Sequence, residues 1–186
     1  IRLIDMLWRG LAEKAGADLP AGSFASIFGL VIAGEHPDTG RRYAMVEPQM
    51  GGWGATPERP GNDAMFSTNH GDTFNCPIEV AEARYGFEVA SKSLGETAQG
   101  AGDQPGGRGV ITRYHMRGPG VMSVGFSHGV VPVWGLPGAA DGGLNALCIR
   151  RDGEDLEQAT FVSKVGIRPG DEIVVSTAFG GSAPGA

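Results

Sequence analysis

Residues 51–54 read Gly-Gly-Trp-Gly, and residues 73–85 read Thr-Phe-Asn-Cys-Pro-Ile-Glu-Val-Ala-Glu-Ala-Arg-Tyr. The first stretch predicts a tight bend around one tryptophan, because glycine has no side chain to hold neighbouring backbones apart. The second predicts a short helix, since Pro77 suits its first turn, two glutamates favour its positive end and Gly86 ends it. A hydrophobic core requires neither order of residues, so both stretches are candidates for function.

Outward from these stretches, the sequence alternates short apolar runs with turn residues, which is typical of strands. The predicted strands cover residues 24–33, 41–47, 87–94, 110–116, 121–126, 130–134, 144–150, 159–165 and 171–178. Apolar residues at helical spacing between Ile4 and Ala15 predict an N-terminal helix that packs through this face and stops at Gly16. Residues 48–76 and 95–109 are predicted to be long glycine-rich loops. The predicted fold is α+β and β-rich, with packed antiparallel sheets in a sandwich or barrel-like arrangement.

The composition is that of a globular chain long enough for one domain with a real core. Of the 186 residues, 41% are hydrophobic and 19% are charged, which excludes a disordered chain. The formal net charge of −6 argues against nucleic-acid binding, and no apolar run is long enough to cross a membrane. Two cysteines, Cys76 and Cys148, are too few for a disulfide framework, so we expect a cytoplasmic protein.

Glycine is the exception in this composition. The chain has 32 glycines, more than twice the usual share of about 7%. They follow no fixed period, which excludes collagen-like and repeat architectures. The pattern instead predicts short strands joined by tight turns, and loops that lie against another surface. The glycine-containing tail, residues 180–186, is expected to fray.

A polar loop at residues 69–75 contains the strongest candidates for direct chemistry. His70 could act as a general base oriented by Asp72, or the two side chains could ligate a divalent cation. The spacing predicts no third ligand, so we assign no metal site. Asn69 and Asn75 carry carboxamides that could bind a substrate. The alternative is that these Asn and Asp side chains only cap local turns.

The predicted short helix carries a second set of candidates. Glu79 and Glu82 share one helix face, where they could serve in acid-base catalysis. In the alternative, which the pattern favours, Arg84 pairs with one of these carboxylates and clamps the segment to the glycine loops. Trp53 either plugs the glycine bend or lines a substrate channel or an interface. The candidate catalytic residues are His70, Asp72 and Glu82, and the candidate substrate-binding residues are Trp53, Asn69, Asn75, Glu79 and Arg84.

Several stretches, in the same order along the chain, resemble the hydantoinase B/5-oxoprolinase family. This is the subunit shared by ATP-dependent N-methylhydantoinases, 5-oxoprolinases and, more distantly, acetone-type carboxylases. The matching stretches are residues 20–23, 38–41, 51–55, 75–85, 100–110, 163–164 and 169–171. The run from 75 to 85 is the most specific of them. Asp72 and Gly86 depart from the family pattern, which often has asparagine and proline there.

The resemblance implies that residues 1–186 are one C-terminal portion of an N-methylhydantoinase B-type subunit, as a fragment or a separated chain. The implied reaction is the ATP-dependent ring opening of a cyclic amide of the N-methylhydantoin or 5-oxoproline type. The implied partners are a hydantoinase A-like ATP-binding subunit, the N-terminal portion of the same subunit and a small-molecule substrate. ATP and a divalent metal are expected in the full complex, with none on this chain. Its own part would be to shape the substrate chamber and the subunit interface.

Two alternatives remain open at this point. The chain could be the equivalent subunit of an acetone- or acetophenone-type ATP-dependent carboxylase, although the run from 75 to 85 sits closer to the hydantoinase and oxoprolinase branch. It could also be a non-catalytic β-rich scaffold whose glycine loops only hold a partner.

Overall fold

The computed structural model describes residues 1–15, 18–67, 70, 73–97, 104–158 and 161–185. Within these residues the chain forms two helices and nine strands. The helices are α1 (Arg2–Ala15) and α2 (Ile78–Arg84). The strands are β1 (Gly29–Glu35), β2 (Arg42–Pro48), β3 (Phe87–Leu94), β4 (Val110–Met116), β5 (Gly120–Gly125), β6 (Ala146–Arg151), β7 (Glu154–Gln158), β8 (Phe161–Ile167) and β9 (Glu172–Ser176).

The strands form two antiparallel sheets. One has the order β2-β1-β5-β8 and the other has the order β3-β4-β9-β6-β7. Among the described strands neither sheet closes on itself, so the predicted β-rich α+β fold is confirmed as an open pair of sheets and not as a barrel. Alternation builds each sheet's inner face, as in β4, where Val110, Thr112, Tyr114 and Met116 are buried. Residues of both sheets belong to one hydrophobic core, which makes the architecture a sandwich.

Helix α1 is confirmed, but its predicted packing face is wrong. The structure buries Asp5 and Ala12 and packs Trp8 partly against the neighbouring core, while Leu7 is 58% exposed and Leu11 is 53% exposed. The side of the helix that carries Asp5 is buried because the indole Nε1 of Trp134 donates a 2.9 Å hydrogen bond to the Asp5 carboxylate. The apolar side of α1 therefore faces outward from this part of the molecule.

Two strand predictions need correction. The predicted strand 24–33 begins only at Gly29, because Ala25 and Phe28 adopt positive φ angles of 36° and 45° that a strand cannot contain. The apolar stretch 130–134 is not a strand at all. Val130 and Val131 are exposed, Val133 and Trp134 are buried, and the Trp134 indole donates to Asp5.

A third difference concerns the strands that follow. Asp152 and Gly153 both have positive φ angles and form a hairpin turn, which leads into a short strand, β7, that the sequence pattern did not predict. Residues 154–158 do not alternate between charged and apolar side chains, so this strand forms because its backbone pairs with β6 across the hairpin.

Segments 51–54, 106–109 and 180–181 pack backbone against backbone and are here called the glycine layer. A Cβ atom on Gly52 would lie 1.8 Å from the carbonyl oxygen of Gly107, and one on Gly180 would lie 2.0 Å from that of Trp53. Hydrogen bonds of 2.8 Å run from Gly107 N–H to the Trp53 carbonyl and from Gly180 N–H to the Gly107 carbonyl. Glycine is required here because no larger residue allows such an approach.

The described part of the tail does not fray, contrary to the prediction. Ser182 and Ala183 are fully buried, and the Ala183 N–H donates to the Gln104 carbonyl at 3.0 Å. The small side chains of the tail let it enter the glycine layer, so composition that suggests mobility in isolation produces close packing here.

Candidate functional site

The glycine layer positions Trp53 and the loop that follows it. The Trp53 indole Nε1 donates a 2.8 Å hydrogen bond to the Phe66 carbonyl, and the backbone N–H of His70 donates to the Ser67 carbonyl at 2.8 Å. Trp53 and His70 are therefore anchored to the same short segment. Of the other residues predicted in this loop, Asn69 and Asp72 lie outside the described residues.

Ser67 lines a shallow cleft beneath α1 that also contains Asp5, Trp8 and Ser23. The Ser67 hydroxyl is buried, and within the described structure it has no hydrogen-bond partner. The cleft has room for about one water molecule. It is too small for a cyclic substrate in this arrangement of α1.

Asn75 belongs to a polar cluster between β2 and the five-stranded sheet. Its side-chain N–H donates to the Glu47 carboxylate, whose other oxygen accepts a 3.1 Å hydrogen bond from the Tyr114 hydroxyl. The Lys92 ammonium lies 3.7 Å from the same carboxylate. Three partners thus compensate one largely buried negative charge, as buried charges require.

The electrostatics of this cluster keep the phenol protonated. Burial, and after it the negative charge of Glu47, raises the pKa of Tyr114 well above its usual range. Tyr114 therefore stays a hydrogen-bond donor at any physiological pH. The hydroxyl of Thr112 faces a space of about 10 Å³ beside Cys76, which admits about one water molecule. The cluster can hold the Asn75-Cys76-Pro77 run against the sheet, but it has no room for a substrate.

Glu82 fixes α2 to β3. Its carboxylate accepts a 2.7 Å hydrogen bond from the backbone N–H of Val89. A clamp therefore exists, but it joins Glu82 to the backbone of β3 and not to Arg84, as the sequence-based interpretation had it. Glu79 is exposed, and Trp53 and Glu82 share no hydrogen-bond partner among the described residues.

Arg84 lies at the C-terminal end of α2, exposed to solvent. It lines a cleft of about 480 Å³ whose opposite wall is the β1–β2 turn with Arg41 and Arg42. A cleft of this size matches the lower range of small-molecule sites. Arg84, one of the predicted site residues that the structure describes, thus lines a cavity large enough for a ligand.

Sequence reasoning missed Glu47, Lys92 and Tyr114 as a polar cluster. One signal was available, because Thr112 and Tyr114 occupy inward positions in the alternation of β4, where apolar residues are the norm. Their partner in β2 could not be read from the pattern, since 67 residues separate Glu47 from Tyr114.

Two further features bear on the kind of site. Among the described residues, no three His, Cys, Asp or Glu side chains come together as a possible metal site. No described helix is long and apolar enough to cross a membrane.

Two solved structures share the fold: the ATP-dependent caprolactamase from Pseudomonas jessenii (TM-score 0.68, 18% identity, 95% of this chain and 31% of that chain covered) and a nucleotide-free acetone carboxylase (TM-score 0.72, 15% identity, 96% and 29% covered). This chain thus spans less than a third of the length of either protein. No curated protein matches the sequence with significance.

The sequence profile of one family, described as hydantoinase B/oxoprolinase, matches residues 1–183, which is nearly the whole chain. The match contains the glycine layer, the Asn75–Tyr85 run and both sheets. This chain belongs to the hydantoinase B/oxoprolinase family.

Proposed function

We propose that this chain is the C-terminal portion of a hydantoinase B-type subunit in an ATP-dependent cyclic amidohydrolase. The reaction is the ring opening of a cyclic amide of the N-methylhydantoin or 5-oxoproline type. The observation that carries the proposal is the family match over residues 1–183. The fold shared with an ATP-dependent caprolactamase supports it, because caprolactam is itself a cyclic amide.

The proposed role of the chain is to form one wall of the substrate chamber and part of the subunit interface. The glycine layer supports this role, because backbones packed without side chains make a rigid surface from which Trp53 and the loop at His70 project. Phe74, in the same loop, is 87% exposed, and an aromatic side chain so placed is typical of an interface. The remaining walls of the substrate chamber would then come from other polypeptide segments of the complex.

Helix α1 is the proposed contact with those segments. Five apolar side chains of α1 are exposed: Leu3, Ile4, Met6, Leu7 and Leu11. An apolar surface of this kind is typical of an interaction site. We assign it to the N-terminal portion of the same subunit, and we expect a hydantoinase A-like ATP-binding subunit as the second partner. ATP and the divalent metal of the complex would be held by those parts, in a cytoplasmic assembly.

The proposed chemistry uses the polar residues of the 69–75 loop and of α2. His70, oriented by Asp72, would act as a general base toward water or the ring amide, and Glu82 would assist once its bond to β3 opens. The proposed substrate contacts are Trp53, Asn69, Asn75, Glu79 and Arg84. Because Glu82 already accepts a backbone N–H, its structural role is the stronger of its two.

The equivalent subunit of a ketone carboxylase is a second candidate. It is favoured by the acetone carboxylase structure, whose TM-score of 0.72 is slightly higher than that of the caprolactamase. Both reactions use ATP to activate an oxygen-bearing carbon. The carboxylase requires bicarbonate, and the amidohydrolase does not, which makes the two experimentally separable.

The test is an assay of the full complex, with this chain co-expressed with the remaining subunit segments. ATP hydrolysis is measured with hydantoin, N-methylhydantoin or 5-oxoproline, and in parallel with acetone or acetophenone plus bicarbonate. We expect turnover to depend on a cyclic amide and to be independent of bicarbonate. Strict dependence on ketone and bicarbonate would overturn the proposal in favour of the carboxylase.

Variants of the complex test the residue roles. His70→Ala and Asp72→Asn are each expected to lower kcat by about 10²-fold or more, the usual contribution of acid-base catalysis. Glu58→Gln, an exposed carboxylate in the 57–58 turn, is the matched control and is expected to leave kcat unchanged. If His70, Asp72 and Glu82 variants all assemble and turn over normally, the chain is a scaffold and not part of the catalytic centre.

A further inference from the structure

The cleft beside Arg84 is strongly basic although the chain as a whole is acidic. The three guanidinium groups of Arg41, Arg42 and Arg84 line about 480 Å³ of open volume between the β1–β2 turn and the end of α2. The chain has a formal net charge of −6. A local reversal of charge in a concave surface concentrates anions there.

The side chains of these three arginines form no ion pairs in the part of the chain that the structure describes. Among the described residues, no carboxylate lies within ion-pair distance of any of them. Asp38, in the same turn, is instead held by Arg117 at 2.8 Å. Glu35 pairs with Arg42 in the strand register without reaching ion-pair distance. The positive charge of the cleft is therefore uncompensated.

His36 is a buried polar residue in the wall of this cleft. Its side chain lines the cleft and is 94% buried, since only 6% of the residue is exposed. Its Nδ1 accepts a hydrogen bond from the backbone N–H of Asp38 at 3.2 Å, so in the neutral ring the proton is on Nε2. That Nε2–H group has no partner within the described structure. A buried donor without an acceptor is costly, and this ring belongs to the wall of the cleft.

We propose that this cleft binds a phosphate-type oxyanion, either free phosphate or the phosphate group of a small molecule. Guanidinium groups present paired N–H donors that match the oxygens of phosphate, and three of them offset a doubly negative charge. Thr39 lines the same cleft and carries a hydroxyl group. The volume exceeds that of one phosphate group, so it also admits the organic part of a phosphorylated small molecule.

Phosphate binding in this cleft does not depend on the cyclic amide reaction. The two proposals share one residue, Arg84, which is also a proposed substrate contact. The phosphate proposal is tested on the isolated chain by binding alone, without turnover. Failure of binding and failure of the amidohydrolase assay can therefore be told apart.

The experiment titrates the chain with inorganic phosphate, pyrophosphate and ADP at low ionic strength, by calorimetry and by the chemical shifts of the arginine Nε–H groups. We expect saturable binding that weakens as salt is added. The double variant Arg42→Gln/Arg84→Gln should lower the affinity at least about tenfold, the loss expected for two charge-assisted contacts at an exposed site. Tight binding of ADP alone would identify a nucleotide as the source of the phosphate.

Arg59→Gln is the matched control. Arg59 is equally exposed, lies outside the lining of the cleft and carries the same charge. We expect it to leave the affinity within about twofold, since a distant exposed charge is screened. Equal losses for Arg59→Gln and Arg84→Gln would show general charge attraction and overturn the proposal. So would the absence of saturable binding by all three probes.

Discussion

Replacing Gly52 by alanine tests the glycine layer, on which the placement of Trp53 depends. The added Cβ would lie 1.8 Å from the Gly107 carbonyl oxygen, where ordinary contact begins at 3.4 Å. The two backbones must therefore separate by about 1.5 Å, and both are held by neighbours on their other sides. Gly52 does not have a positive φ angle. The effect therefore comes from the contact and not from backbone strain.

The cost follows from the hydrogen bonds that this separation breaks. Gly52 N–H donates to the Ala178 carbonyl at 2.9 Å, Gly107 N–H to Trp53 at 2.8 Å, and Gly180 N–H to Gly107 at 2.8 Å. A buried backbone group left without a partner costs about 1–3 kcal/mol, so three of them cost on the order of 3–9 kcal/mol. This is a large share of a typical stability of about 5–15 kcal/mol.

Urea unfolding of the purified chain, followed by circular dichroism and tryptophan fluorescence, measures this cost. Gly10→Ala is the control, because Gly10 lies within α1 with nothing within 4 Å of the added Cβ. We expect Gly10→Ala to stabilise the chain by about 0.5–1 kcal/mol, since alanine favours the helix. A Gly52→Ala variant that loses less than about 1 kcal/mol would refute the close packing of the glycine layer.

Three other predictions concern the polar cluster, the pH dependence and the exposed helix. Tyr114→Phe should lower the free energy of unfolding by about 1.5–3 kcal/mol in urea, because it removes a hydrogen bond to a carboxylate. Ultraviolet titration of the parent chain should show that Tyr114 does not ionise below about pH 11. The hydrogen-bonded ion pair with Arg151, 2.6 Å long, holds the pKa of the Asp171 carboxyl below its usual range. The stabilisation from this ion pair is complete above the unfolded-state pKa of about 3.9, and it is lost as the pH falls through the lower pKa of the folded state. Asp171→Asn should therefore make the free energy of unfolding less dependent on pH between about pH 2 and 5. The isolated chain should self-associate at micromolar concentration in sedimentation velocity, and Leu7→Glu/Leu11→Glu should abolish this; a monomeric parent chain would contradict the proposed role of α1.

The sequence predicted those helices and strands well that depend on a turn or on the regular spacing of apolar residues. The hairpin between β1 and β2, the helix after Pro77 and the alternation of β4 all follow from turn residues and spacing within a few positions. The prediction failed at 130–134, where an apolar run satisfies the strand pattern but its tryptophan binds a carboxylate far away in α1.

The roles of the candidate site residues in catalysis and binding stay predictions. Asn75, Glu82 and Arg84 all have a definite place in the structure, yet each has a different partner from the one expected. Local spacing places Glu82 and Arg84 on one short helix, but it does not say that a neighbouring strand offers a free N–H to Glu82. The unpaired arginines across the cleft come from the β1–β2 turn, some 40 residues earlier in the chain.

The amino-acid sequence by itself determined the family, the two classes of element and the presence of close backbone approaches, since these depend on residue identity and short-range order. Tertiary structure decided which side of α1 is buried, which glycines meet and where a basic cleft opens. The physical reason is that periodicity and turn chemistry act over a few residues. Burial, charge compensation and hydrogen-bond partners are instead settled between residues that only the folded chain brings together.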